Sequence, residues 1–391
     1  MQHYDVIVLG AGAAGLMCAM RAGQRGRRTL VLEQADKVGA KILISGGGRC
    51  NFTNRGTVPD RFYSQNPHFC IAALQRYKPN DFITLVEKHK IAYHEKKLGQ
   101  LFCDKSARQI VTMLTDECNT AHVDIKCQQS ITSVSKSDTF CVEGEQGRYT
   151  ASALVLATGG LSIPQMGASN FSHRIATQFG VPVTAMRPGL VPLTFGHQDQ
   201  DLAKDLSGVA LEVIVQCDKK SFRENLLFTH RGISGPAILQ ISSCWTESKP
   251  LVINWLPDIN AKEFLWERKR TRPKAEVKTI LSEKIPQNLA RYLTDPDYTG
   301  SMIGSLTDNE LAKLAARLQA WTVVPTGTEG YAKAEVTLGG IDTRALSSKT
   351  MQVNNVSGLY VIGEALDVTG WLGGYNFQWA WSSGWSAGDV V

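Results

Sequence analysis

From Tyr4 to Gln34 the chain switches between two hydrophobic patterns. Val6, Ile7, Val8 and Leu9 form an unbroken apolar run, as a strand covered on both faces requires. Leu16, Ala19, Met20 and Gly23 then recur at helical spacing, and Thr29 to Leu32 is apolar again. This predicts strand, tight turn, helix, strand. Helices are expected near 67–76, 80–90 and 105–121, a hairpin over 131–151, and a further buried strand in "ALVLATGG". From about Pro188 to Gly339 the pattern changes to amphipathic β pieces ("GVALEVIVQC", "RENLLFTH") and a charged helical stretch from Ala261 to Gln319. Buried-strand language returns in "GLYVIGEAL", and a last helix is expected to begin near Gly374. No internal repeat is visible. The simplest organisation is one doubly wound α/β domain made of both chain ends, with a large insertion between them.

Composition narrows this picture only a little. The 391 residues are 43% hydrophobic and 20% charged, which is ordinary globular usage. Nine cysteines are scattered singly, with no CxxC and no HExxH. No zinc site, iron–sulfur cluster, redox dithiol or other metal site is expected, and a reducing, cytoplasmic location fits best. Residues 1–20 begin with a strand, so no signal peptide is expected. Val368 to Gly388 carries no charge but is rich in Gly, Ser, Asn and Gln, which reads as a buried segment rather than a membrane span. The net charge of +6 permits an anionic partner without requiring one.

The first chemical signature is Gly10-x-Gly12-x-x-Gly15, enclosing Ala13 and Ala14, between strand and helix. Gly10 permits the tight turn, Gly12 lets backbone approach a pyrophosphate, and Gly15 lets the helix pack on the strand. The helix N-terminus offers N–H groups and a positive dipole end to phosphates. Glu33 closes the second strand 18 residues after Gly15, where an acid can accept hydrogen bonds from ribose hydroxyls; Gln34 follows it. This motif alone does not separate NAD from FAD. Two later segments favour FAD. Ala157, Thr158 and Gly159 end a buried strand with small residues. In the second, Gly363 and Glu364 end another strand, Asp367 follows, and Gly374, Tyr375 and Asn376 open the last helix. A dehydrogenase using only NAD has no need to bring its far C-terminus back to the cofactor, whereas a two-part flavoprotein does. A helix N-terminus near the flavin N1–C2 edge would stabilise the reduced ring. A second GxGxxG after a strand is missing, so a reduced nicotinamide would dock at the flavin or on the insertion.

The segments "GAGAAG", "KILISGGGRCNFTN", "LVLATGG", "LLFTHRGISGPAILQIS", "KAEVTLGGI" and "GLYVIGEALDVTGWLGGYNFQWAWSSGWSAG" together resemble the BaiN/RdsA family of bacterial flavoproteins, from end to end. The resemblance implies a two-part Rossmann-like FAD domain of the glutathione reductase class, 1–188 and 340–391. It also implies an insertion, 189–339, with a β-rich unit and a helical subdomain over about 258–322. It implies FAD, an NAD(P)H reductant, and either dihydrouridine formation in large-subunit ribosomal RNA, the branch this chain most resembles, or reduction of a bile-acid enoate. By the same resemblance, the stretch from Lys41 wraps the cofactor. Gly46, Gly47 and Gly48 bring backbone to the pyrophosphate and flavin, Arg49 pairs with phosphate, and Cys50 and Asn51 fall near the ring.

Both reactions reduce a C=C bond conjugated to a carbonyl, and both need a proton donor. Cys103 and His230 are the candidates; each also has a plain reading as a core residue. "WERKRTRPK" (266–274) is the strongest basic run and reads either as an RNA phosphate contact or as a solvated helix end. "RAGQRGRR" (21–28) reads as plain surface. The leading expectation is a reductase acting on uridine in ribosomal RNA. The alternatives are a small-molecule ene-reductase and a flavin-binding ribosome-associated protein without turnover.

Overall fold

The structure, a computed structural model, describes residues 2–196 and 200–391. The chain divides into two compact units. One holds everything described up to Pro188 together with Val336–Val391, and the other is Gly189–Glu335.

The first unit is built on a seven-stranded sheet. Its parallel strands are β1 (Gln2–Leu9), β2 (Thr29–Leu32), β3 (Gly147–Leu156) and β4 (Leu359–Val361), with Asp124–Lys126 on the outer edge of β2. The order runs from that edge strand through β2, β1 and β3. The second half of β3 then pairs with β4, and its first half pairs antiparallel with Phe140–Gly144. The apolar run Val6–Leu9 lies at the centre, its four side chains no more than 1% exposed. Burying each such side chain is worth roughly 1.5–3 kcal/mol before chain entropy is counted. This is the doubly wound sheet expected from the sequence. β1, β2, β3 and β4 run the same way, so Gly10, Glu33, Ala157 and Gly363 all emerge at one edge. Ligands bind there in open α/β sheets.

Three helices frame that edge: α1 (Ala13–Gln24), α2 (Ala40–Gly48) and α3 (Tyr375–Gly388). α3 is the uncharged C-terminal segment, and it is buried on nearly every side. It lies so close to α1 that a Cβ on Gly384 would stand 2.5 Å from the Ala14 oxygen, and one on Gly388 2.6 Å from the Cys18 oxygen. Three of its polar side chains are tied down inside. Trp379 donates to the Gly363 oxygen at 3.0 Å, Trp381 to the Phe52 oxygen at 2.8 Å, and Gln378 to the Tyr77 oxygen at 3.0 Å. No helix among the described residues is long and apolar enough to cross a membrane.

The basic segment 21–28, expected to be plain surface, is a clasp on the far end of α3. Arg21 pairs with Asp389 at 2.5 Å and lies over the Trp385 ring, and Arg25 donates to the oxygens of Gly388 and Val391. Cations at a helix C-terminus satisfy its free carbonyls and its negative dipole end. Periodicity in 21–28 could not show this, because the partner lies more than three hundred residues away.

The second unit carries another seven-stranded sheet, with every recorded pairing antiparallel. Its centre is the hairpin Ala210–Cys217 with Lys220–Thr229. Helices Ala261–Thr271, Val277–Leu281, Gln287–Thr294 and Asp308–Gln319 leave the sheet after Leu251–Asn254 and return to it at Trp321–Val323, which pairs with that same strand. Trp255 anchors the junction, its ring 6.0 Å from Phe228 and 5.3 Å from Trp321.

Candidate cofactor site

At the C-terminal edge of the parallel strands, the glycines of the first motif fall into two kinds. Gly10 has φ +104°, and a Cβ there would meet the Ala157 oxygen at 2.6 Å. A Cβ on Gly15 would meet the Gly10 oxygen at 2.0 Å. The fold itself requires both. Gly12 is different: it sits at φ −80°, ψ −170°, with nothing within 4 Å of a Cβ position. It is the N-cap of α1, and no side chain caps that helix. The first-turn N–H groups around Ala13 and Ala14 are left for another partner, as at a phosphate-binding helix start. Glu33 braces this loop by accepting from the Ala11 amide at 2.7 Å and the Ala35 amide at 2.9 Å, while Gln34 beside it is exposed.

The stretch after β2 continues the cradle. α2 breaks at Ser45 (ψ 149°), and Gly46, Gly47 and Gly48 follow with φ of 57°, 66° and 83°. Three successive left-handed residues are tolerated only by glycine. Gly47, Gly48 and Gly159 each face open space where a Cβ would stand. Arg49 is exposed, and its guanidinium makes no ion pair or hydrogen bond among the described residues. Lys41, by contrast, is engaged. It donates to Glu364 and to Ser162, both at 2.6 Å, and Glu364 also accepts from the Thr337 amide at 2.9 Å. This network fixes the end of β4 against the Ala157–Gly160 turn. Thr158 is held there by its hydroxyl bond to Ser172 at 2.7 Å.

The other end of the cradle is the start of α3. Gly374 has φ +97°, no side chain caps the helix, and a Cβ on Gly374 would meet the Thr53 oxygen at 2.5 Å. Asn376 closes the preceding loop by accepting from the Gly370 amide at 2.8 Å. The Tyr375 ring is buried between Phe62 and Trp371, and its hydroxyl accepts from Arg61. Only the Tyr375 backbone is therefore available to a ligand. Asp367 is buried and accepts from the Gln65 amide at 2.8 Å; burial raises its pKa.

Beside this helix start lies a small sheet of Asn51–Asn54, Gln100–Cys103 and Tyr93–Glu95. Its alternation separates two faces. Gln100 and Phe102 point toward the glycine cradle: a Cβ on Gly373 would stand 2.9 Å from the Gln100 amide, and one on Gly46 2.9 Å from the Phe102 ring. Leu101 and Cys103 point into the core. Cys103 is 0% exposed, and burial pushes its thiol up to about 12. Cys103, expected as a proton donor, thus sits on the buried face, one residue out of register with the open one. Cys50 is likewise fully buried with its thiol pushed up, so only its backbone can lie beside a ring.

The residues present fit a dinucleotide. Two helix starts lack side-chain caps, and four glycines face open space at the edge where four parallel strands end. The sequence matches the family described as HI0933-like protein Rossmann domain over residues 4–390. The chain belongs to that family. Within its curated relatives, it is 49% identical to a ribosomal RNA dihydrouridine synthase of Escherichia coli (strain K12), covering 100% of this chain and 99% of the relative. It is 26% identical to a 3-dehydro-bile acid delta(4,6)-reductase of Clostridium scindens, covering 98% of each. Among solved structures, a 3-ketosteroid-delta4-(5alpha)-dehydrogenase from Rhodococcus jostii RHA1 superposes with a TM-score of 0.50 at 14% identity, over 99% of this chain and 97% of that one, which shows a shared fold.

In this HI0933-like chain, the remaining expected residues lie in the other unit. His230 is exposed at the turn between Lys220–Thr229 and Gly232–Ser234. Three of the five cations in the basic run 266–274 are paired with acids where they sit. Arg268 pairs with Glu283 at 2.8 Å, Lys269 with Asp308 at 3.1 Å, and Arg272 also with Glu283. Two residues escaped sequence reasoning. Gln100 carries no motif, and only strand register reveals it. His173 is buried beside the Thr158 turn, neither ring nitrogen makes a well-formed hydrogen bond, and burial lowers its pKa. A lone histidine in a helix gives no such signal in sequence.

Proposed function

We propose that this chain is an FAD-dependent, NAD(P)H-consuming reductase that converts uridine to dihydrouridine in large-subunit ribosomal RNA, in the cytoplasm. The observation that carries the reading is the pair of uncapped helix starts at Gly12 and Gly374, on one sheet edge, in a chain similar over its whole length to a ribosomal RNA dihydrouridine synthase. Gly12, Ala13, Ala14, Gly47, Gly48 and Arg49 would hold the pyrophosphate, and Glu33 would orient the ribose. Gly363, the Glu364–Lys41 pair, Asp367 and the backbone of Gly374–Asn376 would hold the ribityl chain and ring. When bound, FAD supplies hydride chemistry to the carbon β to the uridine C4 carbonyl.

The chain's own residues do the rest. The Gln100 amide on the open face, with the Asn51 side chain beside it, would orient the base by hydrogen bonding. With the ring at the start of α3, the positive dipole end of that helix would stabilise negative charge on the reduced flavin. His230 is the candidate proton donor, and His230→Gln should lower turnover while leaving FAD bound. The deciding experiment is dihydrouridine mapping in large-subunit ribosomal RNA from cells with and without the gene. Loss at one site, restored by the intact chain and not by Gly12→Asp, supports the reading; unchanged modified uridines defeat it. The bile-acid reductase relative favours a second reading, a small-molecule enoate reductase. NAD(P)H-dependent enoate turnover in RNA-free protein would select it. Bound FAD that no nicotinamide reduces would instead indicate a binding protein without turnover.

A further inference from the structure

The small sheet beside the start of α3 ends in a turn, Lys97–Gly99, between Tyr93–Glu95 and Gln100–Cys103. At its tip Leu98 is 61% exposed, the most exposed large hydrophobic side chain among the described residues. It also has φ +59°, a left-handed conformation that a branched side chain adopts reluctantly. Hydrogen bonds to the turn's backbone hold that conformation, while the exposed side chain adds little to the core. The turn is rigidly mounted. The Asn54 side-chain amide donates to the Leu98 oxygen at 3.1 Å and to the Gly373 oxygen at 2.8 Å. The Arg55 amide donates to the Gly99 oxygen at 2.9 Å. One buried asparagine thus fixes the tip relative to the start of α3. Exposed cations flank it at Lys96, whose ammonium lies 5.5 Å from the centre of the Phe102 ring, and at Lys97.

We propose that Lys96–Leu98 is a wedge for structured RNA: Leu98 enters the base stack as the target uridine leaves it, and Lys96 and Lys97 pair with the flanking phosphates. This rests on the RNA-reductase reading above. A uridine stacked in folded RNA cannot lie flat on a flavin until it is extruded, and apolar side chains inserted between bases stabilise the unstacked state. An exposed, strained leucine bracketed by lysines at the rim of the cofactor face has the chemistry for that task.

The test uses the purified holoprotein with two RNAs: a folded ribosomal fragment carrying the target uridine in a stem, and a short single-stranded oligonucleotide of the same local sequence. Leu98→Gly suits the left-handed φ and so keeps the turn while removing the wedge; Leu98→Ala is the second variant. FAD absorbance and thermal melting serve as checks of folding. The expected result is a loss of about tenfold or more in kcat/KM on the folded fragment and less than about twofold on the oligonucleotide. Lys96→Gln with Lys97→Gln should weaken binding to both RNAs and make the salt dependence shallower by about one to two units. Equal losses on both RNAs, or no loss on the folded one, would overturn the wedge while leaving the reductase reading intact. If the unmodified protein reduces uridine in neither RNA, the reductase reading falls and the wedge falls with it.

Discussion

Two pairs of helices in this chain begin in different ways. In the insertion, Ala261–Thr271 is capped by Asn260, whose side-chain oxygen accepts from the amides of Lys262 and Glu263 at 3.1 and 3.3 Å. Asp308–Gln319 carries a full capping box: the Thr307 amide donates to Glu310 at 2.7 Å, and the Glu310 amide donates back to the Thr307 hydroxyl at 3.3 Å. In the sheet unit, α1 and α3 begin at glycine with no side-chain cap. A missing cap alone does not mark a ligand site, since Val277–Leu281 and Gln287–Thr294 also start without one. What sets α1 apart is an open start at a glycine directly after a parallel strand, the arrangement that suits a phosphate. Gly12 makes this sharpest. Its backbone is ordinary extended conformation and its surroundings are open, so nothing in the protein requires glycine there.

The largest effect that could break this contrast comes from Gly12→Asp. Aspartate is among the best N-cap residues, and in the apoprotein it should stabilise α1 by up to about 1 kcal/mol. In the holoprotein its carboxylate would occupy the position of a pyrophosphate. The expected outcome is loss of FAD, with affinity down at least about a hundredfold, and an apoprotein melting temperature equal to or above that of the parent apoprotein. Flavin absorbance after purification and apoprotein melting measure the two halves. Retained flavin, or an unfolded variant, would mean the open helix start has a structural purpose after all.

Much of this site could be read from the sequence because its signals are local. Strand, glycine turn, helix and acid fall within thirty-odd residues, and the glycines that the cradle needs are spelled out at Gly46, Gly47 and Gly48. The open face of the small sheet could not be read this way. Cys103 and Gln100 lie on one short strand, and which of them faces outward depends on pairing with Asn51–Asn54, a long-range fact. The same limit hid the arginine clasp on α3 and the neutralisation of the basic run. A second prediction tests the register. Gln100→Ala should lower turnover about tenfold with little change in stability. Cys103→Ala should cost about 1–3 kcal/mol in stability and leave turnover within about twofold. At pH 8 the Cys103 thiol, pushed up to about 12, should resist iodoacetamide until the protein unfolds. Prompt labelling in the native state would restore it as a candidate donor.

A smaller effect tests the capped side of the contrast. Thr307→Ala removes one hydroxyl from the capping box, and the helix should lose about 1 kcal/mol. FAD content should be unchanged, because that helix start holds only its own chain. Urea denaturation reads the first quantity and flavin absorbance the second. A loss of flavin would show that the two kinds of helix start are not independent.

The smallest expected effect concerns the run 266–274, which looks in sequence like the strongest RNA contact. Its geometry says otherwise for three of its cations. Glu283 receives both Arg268 and Arg272, and Lys269 reaches Asp308 and the Leu306 oxygen. These charges are matched within their own unit, so moving them to phosphate would strip their acids of partners. Replacing Arg268, Lys269 and Arg272 together with glutamine should therefore alter the salt dependence of RNA binding by less than about one unit. A full set of three phosphate contacts would alter it by about two to three. Binding measured between 50 and 200 mM salt distinguishes the two (roughly the range over which phosphate contacts dominate). A large change would mean that the ion pairs open on RNA and that the run, not the Lys96–Leu98 turn, is the main electrostatic footprint.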